Sequence, residues 1–311
     1  MRVVVTGGAG FIGGNLCRRL IGTAGVTSVV ALDDLSTGAE ANIADLDVAF
    51  VRGSITDDRA LDEAFDGASA VVHLAALGSV PRSVNDPVAS HFANTTGTLM
   101  VLEAARRHGG LHTVVASSSS VYGANPTLPK HEGLATRPMS PYAATKLATE
   151  SYALAWQQSY GLPVLAFRFF NVFGPLQPAG HAYAAVIPAF IDAALRRVPL
   201  TVHGDGTQSR DFTYVDTVTA VIADALVRRV TDPEPVNLAF GSRTSLVEVI
   251  AMLESMLDRP LERSHTVVRA GDVPHSQADS SRVRELFSHV VPTPFAEGLH
   301  ATVDWMSALT G

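Results

Sequence analysis

The chain has 311 residues, 47% of them hydrophobic and 17% charged, with a formal net charge of −7. That length supports one large or two modest domains, and the composition excludes a disordered chain. The acidic balance gives no footprint for nucleic acid or an anionic membrane surface, and no apolar run is long enough to cross a bilayer.

The first run, RVVVTG (2–7), reads as a strand with no basic leader before it, so no signal peptide is expected. It passes into TGGAGFIG (6–13) and then a helix over 11–22. Gly7, Gly10 and Gly13 follow a GxxGxxG spacing, with Phe11 and Ile12 inside it. Glycine allows the tight turn and lets the backbone approach a pyrophosphate at the helix N-terminus, where free amides point. The lone cysteine, Cys17, lies on this helix; it cannot form an internal disulfide and suits a reducing cytoplasm.

VTSVVALDD (26–34) is the second strand, and Asp33 at its end falls 20 residues after Gly13. A carboxylate there accepts hydrogen bonds from the adenosine ribose and repels a 2′-phosphate. No basic residue follows closely, which favours NAD over NADP. VAFVRGS (48–54) is the third strand, and a short helix follows over 60–65. AVVHLAA (70–76) is the fourth; Leu74, Ala75 and Ala76 let a cofactor lie across the strand ends. His73 reads as a satisfied core histidine, and with no cysteine or carboxylate at ligand spacing beside it no metal is expected.

A helix over 91–108 precedes the fifth strand, HTVVASSSS (112–120). Ser118 stands where ligands bind in open α/β sheets, and its hydroxyl can relay or donate a proton. SPYAATKLATE (140–150) opens a helix over 142–160. Ser140 suits its cap and Pro141 its first turn. Tyr142 lies four residues before Lys146, so phenol and ammonium share one helix face. A nearby cation favours tyrosinate and lowers a phenol pKa from its usual ~10. VLAFRFFNV (164–172) is the sixth strand. The alternation predicts a Rossmann-type doubly wound parallel sheet over 1–172. Beyond Asn171, Gly and Pro rise and the pattern loosens into a smaller mixed α/β lobe over 173–311, with about 207–230 returning to the first domain.

Together these pieces resemble the extended short-chain dehydrogenase/reductase family, over nearly the whole chain. Tyr142 and Lys146 match its YxxxK pair, Ser118 its catalytic serine and the three glycines its dinucleotide loop. The resemblance implies bound NAD, with Lys146 on the nicotinamide ribose and Asn94, in FANTTGT, buttressing the site. Ser54 stands where relatives often have an aspartate facing the adenine, and Ile55 is left to pack on the ring. The helices over 91–108 and 142–160 correspond to those that pair in related homodimers.

Within that family the chain looks like the nucleotide-sugar 4-epimerases. The resemblance makes Asn171, in RFFNVFGP, and Arg210, in GDGTQSRDFTYVDT, ligands of a substrate diphosphate. RAGDVPHSQAD supplies Arg269 for phosphate and Asp272 for the uridine ribose. ALGSVPRS and HAYAAVIP resemble UDP-N-acetylhexosamine 4-epimerases, placing Gly78, Ser79, Ala185 and Val186 near the substrate. Ser119 is expected beside it. Ser276 stands where glucose-restricted epimerases carry a tyrosine, leaving room for an N-acetyl group. The same room admits UDP-glucose, and UDP-glucuronic acid 4-epimerases share much of the pattern. Dehydratases of the family carry an Asp–Glu pair where this chain has Ser119 and Ser120. A dinucleotide-binding sensor without catalysis would need neither Tyr142 nor Lys146.

Overall fold

Val3, Val4 and Val5 have no exposed surface on either side of the first strand, β1 (Arg2–Thr6). A strand covered on both faces reads as a continuous apolar run, as in a parallel sheet flanked by helices. The computed structural model describes residues 1–179, 184–267 and 274–310. After β1 the strands are β2 (Ser28–Asp33), β3 (Ala49–Arg52), β4 (Ala70–His73), β5 (His112–Ser118), β6 (Val164–Phe169), β7 (Asn171–Phe173), β8 (Leu200–His203), β9 (Ser209–Arg210), β10 (Phe212–Tyr214), β11 (Val236–Leu238), β12 (Thr244–Ser245) and β13 (Arg263–Thr266). The α-helices are α1 (Phe11–Ile21), α2 (Asp58–Phe65), α3 (Val80–Asn85), α4 (Pro87–His91), α5 (Gly97–Arg107), α6 (Pro141–Tyr160), α7 (Val186–Leu195), α8 (Val215–Arg228), α9 (Leu246–Met256), α10 (Ser281–Leu286) and α11 (Phe295–Thr310).

Seven strands form one parallel sheet in the order β11–β6–β5–β4–β1–β2–β3. The direction of winding reverses between β1 and β4. In such sheets ligands sit outside the carboxyl ends of the strands at that crevice. One face is covered by α2, α5 and α6, where Leu61, Phe65, Val101, Leu102 and Ala153 join one core. On the other, Leu16, Cys17 and Leu20 of α1 share a core with Val218, Val221 and Ile222 of α8. Arg19 adds a bond to Thr219 Oγ1 at 2.9 Å and an ion pair with Asp216. Helix α8 thus packs against the first helix of the chain.

Two features depart from the sequence expectation. Val236–Leu238 lies in the region read as loosened, yet it pairs with Phe167–Phe169 as the edge strand of the main sheet. The run is only three residues long and follows Pro233 and Pro235, so no strand-length apolar pattern marks it. The helix expected over 91–108 is three pieces: α4, a π-helical turn over Phe92–Thr96, and α5. The caps of α6 follow expectation, with Ser140 Oγ accepting from Ala143 N–H at 3.1 Å and Gly161 closing the helix in the left-handed region.

The remaining lobe builds its own core from Phe173, Phe190, Val202, Phe212, Leu253 and Leu299. Its two-stranded pairs are β7–β10, β8–β13 and β9–β12. Among the described residues no helix is long and apolar enough to cross a membrane.

Candidate active site

A cleft of about 850 Å³ runs along the carboxyl ends of β1, β2, β4, β5 and β6. One end is made by the glycine loop. Gly7 has φ +70, and a Cβ there would meet Ala75 N at 2.8 Å. A Cβ at Gly13 would sit 2.0 Å from Gly7 O, so the turn closes only without side chains. Gly10 caps α1 without a side-chain bond, and Phe11, Ile12 and Gly13 face the cleft with first-turn amides free for an anion.

Asp33 stands beside this cradle, 8% exposed. Its carboxylate accepts from Ala9 N–H at 3.0 Å and Leu35 N–H at 2.8 Å. Burial raises its pKa, and those two bonds pull it back. Ser54 and Ile55 line the same end, with Ser54 Oγ sharing a bond with Thr56 Oγ1 at 2.8 Å; Leu74, Ala75 and Ala76 line the wall at the end of β4. The basic residues among the cleft's lining are Arg82 and Lys146, neither of them beside Asp33 in the chain. A tight glycine turn, free helix amides and a carboxylate at the next strand end fit a dinucleotide pyrophosphate and an unphosphorylated ribose.

Ser118 ends β5 and caps the turn after it, its Oγ accepting from Ser120 N–H at 3.2 Å. The Tyr142 phenol lines the same cleft as Ser118. One turn further along α6, Lys146 is 6% exposed and its Nζ donates to Ala116 O at 2.8 Å. The expected electrostatics differ here. Burial pushes the phenol above its ordinary value, and the Ser118 hydroxyl beside it pulls it back; burial also lowers Lys146 to about 8. Desolvation thus outweighs any cationic help to the phenol.

Asn94 is buried behind the wall rather than on it. Its Oδ1 accepts from Leu77 N–H at 2.7 Å, and its Nδ2 donates to Leu77 O at 3.2 Å and Thr145 Oγ1 at 3.0 Å. Thr145 Oγ1 in turn donates to Tyr142 O at 2.8 Å. The π-helical turn is what carries Asn94 to this position; such single wide turns inside helices are often found at functional sites.

His73 is a core residue, as expected. Its Nδ1 bonds Thr6 Oγ1 at 2.8 Å and its Nε2 bonds Thr98 Oγ1 at 3.0 Å. Burial, with Lys146 charge nearby, lowers its pKa to about 3. The unfolded chain, with a histidine pKa of about 6.5, takes up the proton first. The stability from this neutral ring is therefore complete above pH ~6.5 and is lost as pH falls toward ~3. Between pH 7 and pH 4 the wild type is expected to lose roughly 3 kcal/mol more than His73→Gln, which cannot titrate there. Denaturant midpoints at the two pH values check this, and equal losses would contradict it.

A second cavity of about 340 Å³ shares Asn171, Gln177 and Ala185 with the first, so the two adjoin. Val186 and Arg210 line it. Gly78 and Ser79 line the larger cleft near Tyr142, with Ser79 at φ +120 capping α3. Ser119 and Ser276 are not among the lining residues of either cavity. Ser119 begins the turn after β5, and Ser276 is buried, its N–H donating to Ser209 O at 3.0 Å. Arg269 and Asp272 lie outside the described residues. Among the lining residues that went unread in the sequence are Arg82 and Gln177. Gln177 stands at the junction of the cavities, its Nε2 on Val172 O at 3.2 Å and its buried Oε1 without a partner among the described residues. It sits in a Gly/Pro loop with no periodicity to mark it; Arg82 reads as one more helix-surface arginine.

A dinucleotide cleft with Ser118, Tyr142 and Lys146 at one end defines a nicotinamide-dependent enzyme of the short-chain dehydrogenase/reductase type. The model of the NAD dependent epimerase/dehydratase family matches residues 3–239, and the chain belongs to that family. UDP-glucose 4-epimerase of Mycolicibacterium smegmatis is 36% identical over 315 residues, covering 98% of each chain. UDP-N-acetylglucosamine 4-epimerase from Methanobrevibacter ruminantium M1, solved with UDP-N-acetylmuramic acid, superposes with a TM-score of 0.93 at 34% identity, covering 99% of this chain and 98% of that one. UDP-glucuronic acid 4-epimerase from Bacillus cereus, solved with UDP-glucuronic acid and NAD, gives 0.91 at 30% identity, covering 99% and 100%.

Proposed function

We propose that the chain is an NAD-dependent UDP-sugar 4-epimerase acting on UDP-N-acetylglucosamine and UDP-N-acetylgalactosamine, with UDP-glucose and UDP-galactose as further substrates. The observation that carries this is the placing of Ser118, Tyr142 and Lys146 on one cleft that adjoins the Asn171 and Arg210 cavity. When bound, NAD supplies a reversible hydride acceptor and a positively charged ring. Tyr142 takes the proton from the sugar 4-hydroxyl, and Ser118 shares the hydrogen bond as charge develops. Arg210 and Asn171 hold the diphosphate while the 4-keto sugar turns over between the walls. Tyr142 then returns the proton to the opposite epimer. Ser119 and Ser120 supply no acid to expel a 6-hydroxyl, which supports epimerisation over dehydration.

Gly78, Ser79 and Ala185 keep the lining small beside Tyr142 and support room for an acetamido group. Arg82 on the same cleft favours a second reading, since a guanidinium would suit the carboxylate of UDP-glucuronic acid. Incubation with UDP-N-acetylglucosamine, UDP-glucose and UDP-glucuronic acid separately, followed by chromatography, tests both. We expect the first to yield its 4-epimer. Turnover of UDP-glucuronic acid alone would overturn the sugar assignment, and a 4-keto-6-deoxy product would overturn epimerisation.

We also propose a cytoplasmic homodimer, in keeping with a single thiol and with the exposed side of α6, where Ala144, Ser151 and Ala155 are small. Light scattering is expected to give twice the chain mass at micromolar concentration; a monomer mass would contradict it.

A further inference from the structure

Asp211 has no exposed surface, yet it lies between two cleft residues. Arg210 precedes it in the chain. Asn171 donates to its carbonyl from N–H at 3.2 Å and from Nδ2 at 3.3 Å. Its carboxylate reaches two other segments. Oδ1 accepts from Ser242 Oγ at 2.9 Å, and Oδ2 accepts from Gly241 N–H at 3.1 Å and Ala278 N–H at 3.0 Å. Gly241 and Ser242 follow the edge strand β11. Ala278 belongs to a segment laced to β9, where Ser209 N–H donates to Pro274 O and Ser276 N–H to Ser209 O, both at 3.0 Å. Arg210 Nη1 donates to the same Pro274 O at 3.2 Å.

A fully buried carboxylate is costly, and an apolar residue here would leave two backbone N–H groups without acceptors. Burial outweighs its hydrogen bonds and leaves the acid at about 6, so it is mostly ionised at neutral pH. The ladders give little other support. β9 has two residues and β10 three, and Asp211 is the one between them. None of the hydrogen bonds described for Asp211 involves Ser118, Tyr142 or Lys146.

We infer that Asp211 is a positioning residue for nucleotide-sugar binding: its carboxylate fastens the 241–242 turn and the 274–278 segment to the strand bearing Arg210, and so fixes the anion-binding wall of the cleft. The inference rests on the UDP-sugar reading above. It requires that Asp211 act on binding and leave the proton-transfer step alone.

The test compares wild type, Asp211→Asn and Ser242→Ala by UDP calorimetry, steady-state kinetics and bound NAD content. Asp211→Asn keeps one acceptor but turns an amide donor toward N–H groups. KM for the UDP-sugar and the UDP Kd should rise roughly tenfold or more, the scale of a hydrogen bond to a charged group, while kcat stays within about threefold. Bound NAD should be unchanged. Ser242→Ala removes one donor and should raise both constants about two- to fivefold. Unchanged UDP affinity in both variants, or a fall in kcat with KM held, would overturn the inference. Should Asp211→Asn fail to fold, an unchanged Kd in Ser242→Ala overturns it alone. Wild type that binds no UDP would instead overturn the UDP-sugar reading, and this inference with it.

Discussion

Tyr142→Phe is expected to abolish turnover of UDP-sugars while leaving bound NAD and UDP affinity unchanged. The ring keeps its place at the start of α6, where Tyr142 N–H donates to Ser83 Oγ at 3.0 Å, a backbone bond that the substitution does not touch. What is lost is the only proton acceptor proposed at the sugar 4-hydroxyl. A positioned general base is worth typically ~10²–10⁴-fold in rate. No hydride can leave C4 while that hydroxyl keeps its proton, so the loss should reach or exceed the top of this range. Steady-state kinetics check it, with NAD content measured on the same preparation. Turnover within tenfold of wild type would remove Tyr142 from the mechanism.

The largest expected loss of stability comes from Glu150→Ala. Glu150 on α6 and Arg168 on β6 form a bidentate pair at 2.6 and 2.9 Å, each side chain 5% exposed. Burial works against the guanidinium charge, and Glu150 more than compensates, holding Arg168 above its usual pKa. The Arg168 guanidinium also lies over the Tyr122 ring at 4.8 Å, and Ser117 Oγ donates to Glu150 at 2.9 Å. Removing one member of a buried pair leaves the other charge uncompensated and costs about 3–5 kcal/mol. Urea unfolding should show a lower midpoint with an unchanged slope. A shift worth under about 1 kcal/mol would mean that Arg168 finds another partner or reaches water.

Six of the seven sheet strands were legible because each is a Val- or Ala-rich run ended by turn residues, the pattern that burial on both faces demands. The seventh was hidden because three residues after prolines carry no period. The glycine-loop end of the cleft was equally legible: its glycines and Asp33 reach the lining through backbone geometry that local sequence dictates. The substrate end was less so. Ser119 and Ser276 follow motifs in the chain, but whether a side chain reaches a cavity depends on packing between distant segments. The same holds for the electrostatics of Tyr142 and Lys146. Spacing places the pair on one face, whereas the direction of their pKa shifts depends on how much water the fold removes.

Cys17 has no exposed surface, its Sγ donates to Gly8 O at 3.9 Å, and burial together with the Asp33 charge pushes its thiol up to about 12. Thiolate is the reactive form, so the folded enzyme should be inert to maleimides and iodoacetamide. The protein is therefore ready for site-specific labelling with its natural cysteine in place. A cysteine introduced at exposed Ala144 on α6 would take a single fluorophore, and energy transfer between differently labelled copies would report whether that helix face meets its twin.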